Sequence, residues 1–210
     1  MISQRVNRIP IAYIIGHKEF YGRNFNVNEN TLIPRPESET IIDILKKIYS
    51  KKTTKLIDVG TGSGCLGITA KIEYPALEVT LIDISQQALQ TAVLNAKALA
   101  ARITALQSDL LANYTKKADI IIANLPYVDR TWDRSPETNH EPSLALFADD
   151  NGKDLIKKLI VQSTSKISDG GYLIIEADPF QHGDLIKFAA NKSYTLFMQQ
   201  DYIVAFRYSN

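Results

Sequence analysis

From residue 55 onwards the chain alternates between short apolar runs and amphipathic stretches, and that alternation leaves few folds open to it. Residues 55–60, Lys55-Leu56-Ile57-Asp58-Val59-Gly60, read as a buried strand. A Gly-rich turn and a helix to about Tyr74 follow, then a strand over 77–83 and a helix that Ser85 caps and that runs to about Ala100. Short strands are expected near 103–107 and 118–123. After a long polar loop come a helix near 154–167, a strand at 172–177, a helix near 181–190, and two strands at 193–198 and 202–208. Gln199-Gln200-Asp201 is too short a link for anything but antiparallel neighbours. The expectation is an α/β fold with a doubly wound, mostly parallel seven-stranded sheet, a C-terminal antiparallel hairpin, and ligands at the carboxyl ends of the strands.

Ahead of this pattern, Phe20, Tyr21-Gly22, Phe25 and Val27 suggest a short β-hairpin turning at Gly22-Arg23. Pro36 and the acidic pair Glu37 and Glu39 suit the first turn of a helix with Ile41, Ile42, Leu45 and Ile48 on its apolar face. Residues 1–35 are therefore read as an N-terminal segment and 36–210 as one domain.

Composition narrows the partners. Twenty-four Lys and Arg against 23 Asp and Glu leave a formal charge of +1, which argues against a broad nucleic-acid footprint. One cysteine, Cys65, excludes an intramolecular disulfide and fits a reducing cytosol, so a cytoplasmic location is expected. His17, His140 and His182 have no metal-ligand spacing, and no metal is expected. No apolar run approaches the roughly 20 residues of a membrane span. A monomer is expected, with no membrane partner and no stable nucleic-acid partner.

The chemistry gathers at strand ends. Asp58-Val59-Gly60-Thr61-Gly62-Ser63-Gly64 lies at a strand-to-helix turn, where Gly60, Thr61, Gly62 and Gly64 let a ligand approach the main chain. Asp83, followed by Ile84, ends the next strand, where a carboxylate accepts from both ribose hydroxyls. Asp109, beside Leu110, falls just past the third strand and suits an adenine amino group. These positions describe a nucleoside laid across the strand ends. A nicotinamide dinucleotide is one occupant, because Gly62-Ser63-Gly64-Cys65-Leu66-Gly67 matches G-x-G-x-x-G. Asp58 opposes a pyrophosphate and favours a cation with an ammonium group and a sulfonium centre, namely S-adenosylmethionine. Cys65 reads as a small packed residue.

Asn124-Leu125-Pro126-Tyr127 follows the apolar run 118–123. The Asn124 amide oxygen and the Leu125 carbonyl can each accept one N–H of a planar amino group, Pro126 fixes the turn without a competing donor, and Tyr127 can stack. Taken alone, the tetrapeptide also fits an ordinary strand-ending turn.

Several segments together resemble the HemK/PrmC family of release-factor glutamine methyltransferases. They are Pro10-Ile11-Ala12-Tyr13-Ile14-Ile15-Gly16, Glu19-Phe20-Tyr21-Gly22, Pro34-Arg35-Pro36-Glu37-Ser38-Glu39, the Gly60–Gly64 loop, Asp83-Ile84-Ser85, the tetrapeptide, and Glu141-Pro142-Ser143-Leu144-Ala145-Leu146. The match spans about residues 8–180. It begins without the helical domain that members usually carry ahead of the first segment, so the chain resembles the catalytic domain alone. The family implies a Rossmann-like class I methyltransferase fold, S-adenosylmethionine as methyl donor, and a release-factor glutamine as acceptor. It also places Arg35, Pro36, Glu37, Glu141 and Pro142 at the substrate entrance and gives Asn124 contacts with both cofactor and substrate. Two features depart from the usual pattern: Leu125 where the family has proline, and Ala177-Asp178 where a glycine usually follows the acidic residue. An adenine-N6 nucleic-acid methyltransferase shares the tetrapeptide geometry, and with a dinucleotide oxidoreductase and a non-catalytic nucleoside-binding module it makes up the alternatives.

Overall fold

A computed structural model of the protein describes residues 2–49 and 54–210. Two short helices, α1 (Ile2–Val6) and α2 (Ile11–Ile15), lead into a hairpin of β1 (His17–Phe20) and β2 (Arg23–Asn26). The hairpin turns at Tyr21-Gly22, one residue earlier than expected. Both residues have positive φ (50° and 74°), the left-handed geometry that matches the twist of a two-residue hairpin. Phe20 and Phe25 cross at a ring distance of 6.2 Å and are buried in the same core as the next helix. That helix, α3 (Glu39–Ile48), is entered through a 3-10 turn at Pro36–Ser38. Proline supplies the fixed φ and loses no needed donor there.

The strand–helix alternation then builds the sheet. Strands β3 (Thr54–Val59), β4 (Leu77–Asp83), β5 (Thr104–Gln107), β6 (Ala118–Ala123), β7 (Ile167–Glu176), β8 (Tyr194–Gln200) and β9 (Ile203–Tyr208) lie in the order 5-4-3-6-7-9-8. Pairings among β3 to β7 are parallel, whereas β9 pairs antiparallel with both β7 and β8. Helices α4 (Cys65–Glu73) and α5 (Gln86–Ala98) join α3 on one face. Ile41, Ile68 and Ala92 meet Leu56, Ile120 and Ile174 there. After two short helices, α6 (Ser143–Leu146) and α7 (Asp149–Gly152), come α8 (Asp154–Ser163) and α9 (His182–Ala190). These two cover the opposite face, where Leu159 and Leu185 pack on Ile57, Ile121 and Leu173. Because the strands are buried on both faces, they read as continuous apolar runs.

Three boundaries differ from the sequence reading. Helix α8 stops at Ser163, and Ile167 starts β7 five residues before the expected strand at 172. There Ile167 pairs with Ala118 across a register shift in β6. The C-terminal turn sits at Asp201-Tyr202, with Gln199 and Gln200 still paired to β9. The long polar loop is ordered by a 3-10 turn (Pro136–His140), by α6 and α7, and by a parallel bridge between Val128 and Phe147. Among the described residues no helix is long and apolar enough to cross a membrane.

The chain leaves β3 towards β4 on one side and resumes with β6 on the other. This reversal opens a crevice above the carboxyl ends of β3 and β6.

Candidate active site

The crevice holds a cleft of about 240 Å³ walled by the Gly60–Ser63 loop, Asp83, Asp109, Asn124 and the 30–35 segment. Its floor is the turn after β3. Gly60 and Thr61 both donate to the Ile82 carbonyl (2.8 and 2.9 Å), which ties the turn to β4. Gly60, Gly62 and Gly64 all have positive φ. At Gly60 the requirement is double, since a Cβ would also lie 2.7 Å from the Leu125 side chain. Leu125, the departure from the usual proline, thus packs its side chain onto the glycine loop and lines the cleft.

Asp58 does not line the cleft. It is buried behind the loop, where its Oδ2 accepts from the Thr61 hydroxyl (2.6 Å) and the Gly67 amide (2.9 Å). Its Oδ1 is buried with no hydrogen-bond partner. Burial pushes the carboxyl up to about 6, against those two donors. Asp83 meets the cleft directly. The amides of Gly62 and Ser85 each give one of its oxygens a 2.9 Å hydrogen bond, which fixes the carboxylate and leaves lone pairs free on both. Its carboxyl is raised by burial, with those amides and that of Ile84 acting in opposition. Ile84, Asp109 and Leu110 complete this wall. Leu110 takes a positive φ of 47°, which turns the chain past the β5 end. Cys65 also borders the cleft, and burial together with the nearby Asp58 pushes its thiol up to about 12, so it stays protonated.

The far wall carries Asn124, Leu125 and Pro126. Tyr127 does not line the cleft. Its hydroxyl donates to Glu176 Oε1 at 3.1 Å, and its ring packs against the core on the α8 and α9 face. The Asn124 Nδ2 donates to the Ser38 hydroxyl (2.9 Å), which donates to Glu176 Oε2 (2.5 Å). Ser38 and Glu176 are both buried. Burial raises the Glu176 carboxyl above the usual carboxylate range, while the Ser38, Tyr127 and Asn124 hydrogen bonds pull it down.

The entrance residues fall into two groups. Arg35 and Pro142 line the cleft, while Pro36 and Glu37 are exposed beside it. Glu141 is buried and ties the entrance together, accepting from Arg35 (2.5 Å) and from the Ile33 amide (3.1 Å). Arg35→Met would leave that buried carboxylate with one donor. Removing one partner of a largely buried pair costs about 3 kcal/mol at full burial and less here, where Arg35 is one-third exposed. The melting temperature should fall by a few degrees. Arg35→Lys should recover little, because a single ammonium cannot reproduce the planar fork. A thermal melt equal to that of the wild type would show that Arg35 does not stabilise Glu141. Trp132 packs edge-on against Phe180 (4.8 Å), away from the cleft wall.

Ser38, Glu176 and Gln181 belong to the site and escape a reading of the sequence. Gln181 Nε2 donates to the Tyr127 carbonyl (3.0 Å) and to that of Asn151 (2.7 Å). Glu176 did leave a signal, since it is an acid closing the apolar run 172–175, as Asp83 closes β4. Among the described residues no cluster of His, Cys, Asp and Glu is placed to hold a metal.

Comparison with known proteins places the chain in a family. Residues 37–140 match the family model of the methyltransferase small domain. The release factor glutamine methyltransferase of Koribacter versatilis is 38% identical over 189 residues, 85% of this chain and 68% of that protein. Its counterpart from Enterococcus faecalis is 36% identical over 92% of this chain and 71% of that protein. The chain belongs to the release factor glutamine methyltransferase family. Solved structures agree on the fold. A methyltransferase from Pyrococcus furiosus superposes with a TM-score of 0.70 at 15% identity, covering 99% of this chain and all of that one. A Thermus thermophilus 16S rRNA N2 G1207 methyltransferase, in complex with AdoMet and guanosine, gives 0.68 at 16% identity over 92% of this chain and 50% of that one. The seven-stranded sheet with its closing antiparallel hairpin is therefore the class I methyltransferase fold. Membership of the release factor glutamine methyltransferase family favours neither the nucleic-acid adenine alternative nor the dinucleotide one.

Proposed function

We infer that the protein transfers a methyl group from S-adenosylmethionine to the side-chain amide nitrogen of a glutamine in a peptide chain release factor. The observation that carries this reading is the Asn124 amide, held by Ser38 with its oxygen free for the cleft, on a chain 38% identical to a release factor glutamine methyltransferase. The residues suit the cofactor. Asp83 has free lone pairs for a ribose, Asp109 stands at the adenine end, and the glycine turn leaves the main chain open to the amino-acid end. The unpartnered Oδ1 of Asp58 balances an ammonium charge from behind the loop.

When bound, S-adenosylmethionine would supply a sulfonium methyl with a neutral thioether as the leaving group, and the glutamine nitrogen, cationic once its bond to carbon has formed, then gives up one proton to water. That nitrogen is a poor nucleophile because its lone pair is delocalised into the carbonyl. Asn124 Oδ1 and the Leu125 carbonyl accept its two hydrogens and direct its π face towards the donor. Both acceptors gain strength as positive charge grows on nitrogen, so they favour the transition state over the ground state. Pro126 keeps a competing donor out of the turn. Tyr127 braces the tetrapeptide through Glu176, a different part from the stacking expected of it. Arg35, with Glu141, and Pro142 shape the entrance, with Pro36 and Glu37 on its outer rim. The near-neutral charge supports a protein substrate over a nucleic acid, and a cytoplasmic monomer fits this role.

The test is mass spectrometry of a release factor incubated with the protein and S-adenosylmethionine. One methyl on one glutamine is the expected product. An unmodified release factor, with cofactor binding intact by calorimetry, would refute the substrate assignment.

Asp58 gives a pH signature. Its folded pKa of about 6 lies above the ordinary 3.8, so folding favours the protonated acid. Stability of the free protein should therefore decline as pH rises from about 4 through 6. Cofactor affinity should run the other way, because only the ionised form attracts the ammonium. It should weaken about tenfold between pH 7 and pH 5. Asp58→Asn should flatten both curves. Calorimetry across that range, showing constant affinity in the wild type, would remove Asp58 from cofactor binding.

A further inference from the structure

We propose that Ser38, anchored by Glu176, is the positioning residue that fixes which end of the Asn124 amide faces the cleft. The inference rests on the reading of Asn124 as the acceptor for the substrate N–H, and it accounts for why that side chain acts as an acceptor at all.

An asparagine amide has two ends of nearly equal shape and opposite hydrogen-bond polarity. One accepts with two lone pairs, and the other donates twice. A cleft that presents the donor end would repel the N–H of an amide substrate, so the choice of end decides whether the site works. Nothing in Asn124 makes that choice. It is set by the acceptors around the NH₂ end, Ser38 and, beside it, the Glu176 carboxyl that the same NH₂ group also reaches.

Ser38 Oγ lies 2.9 Å from Asn124 Nδ2 and 2.5 Å from Glu176 Oε2. A hydroxyl has a single hydrogen. Glu176 Oε2 is an acceptor, and its other oxygen takes the Tyr127 hydroxyl at 3.1 Å, so the Ser38 hydrogen is committed to Glu176. Only the lone pairs of Ser38 then remain for Asn124, and they demand a donor. The NH₂ end must face Ser38, and the oxygen is left for the cleft. If the amide were reversed, two acceptors would face each other at hydrogen-bond distance, with the Ser38 hydrogen already given to Glu176. Glu176 is 1% exposed and Ser38 is 2% exposed, so the anchoring end of the relay is buried while Asn124 meets the cleft.

The three residues come from separate elements. Ser38 ends the 3-10 turn before α3, Asn124 follows β6, and Glu176 ends β7. This also explains why a carboxylate sits at the end of a core strand without touching the cleft. The same relay connects the nitrogen on which positive charge develops to the Glu176 carboxyl through three hydrogen bonds.

Three variants and one spectrum test the proposal. Ser38→Ala removes the hydroxyl and frees the amide to rotate. Turnover should fall about 10- to 100-fold, as expected for a misdirected reactive group, with cofactor affinity within threefold of the wild type. Ser38→Thr keeps the hydroxyl and should restore most of the rate, which a purely steric role of Ser38 would not allow. Glu176→Gln can turn either its oxygen or its nitrogen to Ser38, so its rate should fall between those two. The spectrum needs no substrate. In the free wild-type protein the Asn124 side-chain NH₂ pair, identified by its loss in Asn124→Asp, should exchange slowly with solvent and show a cross-relaxation contact to the Ser38 β-protons. Asn124 NH₂ protons that exchange as fast as those of an exposed asparagine would overturn the proposal, as would Ser38→Ala turning over at the wild-type rate. If the wild type methylated no release factor but the protected NH₂ pair were present, the substrate assignment would fail and the relay would stand.

Discussion

Replacing Asn124 by alanine is expected to cut turnover by about 10²- to 10³-fold while cofactor affinity changes by no more than a few-fold. The magnitude is that of removing one preorganised polar group from a site where charge develops. The separation of the two effects follows from geometry. The residues proposed to hold the cofactor, Asp83, Asp109 and the glycine turn, lie between residues 58 and 110, and none of them hydrogen-bonds to Asn124. The variant loses both the acceptor for the substrate and the donor to Ser38, so the buried hydroxyl keeps its hydrogen bond to Glu176 and little stability is forfeited. Asn124→Asp is the sharper companion. It keeps an acceptor towards the cleft but sets a second carboxylate against the Ser38–Glu176 pair, and like charges in a dry pocket cannot both ionise freely. Both variants should be slow, for opposite reasons, and only the aspartate should lose melting temperature. Equal single-turnover rates for Asn124→Ala and the wild type would remove the side chain from catalysis.

Gly152→Ala carries the largest expected loss of stability, about 3 kcal/mol or more. Gly152 has φ +79°, and it closes a left-handed turn in which Asp150 (φ 56°) and Asn151 (φ 52°) also have positive φ. A Cβ there would lie 1.9 Å from the Tyr127 carbonyl oxygen, 2.5 Å from its carbonyl carbon, and 2.6 Å from Gln181 Nε2. Backbone, not the tip of a flexible side chain, is in the way. The tetrapeptide must move, or the turn must open and release Gln181 from both carbonyls it holds. Either way the Leu125 carbonyl shifts, so methyl transfer should fall together with stability. Gly62→Ala is the control. Its φ of +55° is strained for alanine, but nothing lies within 4 Å of the added carbon, so about 1 kcal/mol is expected. Urea unfolding that ranks the two variants equally would show that strain, and not the collision with Tyr127, decides the cost.

Much of the frame was legible because its signals are local. The strand over 77–83 and that over 118–123 coincide with β4 and β6, since buried parallel strands are apolar runs bounded by turn chemistry. The start of β7 was hidden by Ser168-Asp169-Gly170-Gly171, a polar and flexible sequence with no strand character of its own. Those four residues are an insertion between the Ile167–Ala118 and Tyr172–Ile120 pairs, where Gly170 takes a positive φ of 74° and Gly171 lets the chain pass close to the Asp119 carbonyl. The same divide runs through the site. Asp83 and Asn124 could be named from sequence because each ends a recognisable strand. The parts played by Ser38, Glu176 and Gln181 depend on who receives whose hydrogen across gaps of 30 to 138 residues, and no periodicity encodes that. Tyr127 shows the limit most clearly. Its ring suggested a stacking surface, but its hydroxyl finds Glu176 and the side chain turns towards the core.

The reach of those hydrogen bonds has a consequence for how the enzyme is made. The residues proposed to grip the donor lie between the end of β3 and Leu110, a nearly continuous stretch whose contacts close early and cheaply. The acceptor end needs residue 38 to meet residue 124 and then residue 176, joining the start of the domain to a strand that emerges much later from the ribosome. An incomplete chain could therefore hold the methyl donor and still have an unoriented amide facing the cleft. Competence arrives only when β7 docks beside β6, so the reactive geometry itself reports that the parallel part of the sheet has been assembled.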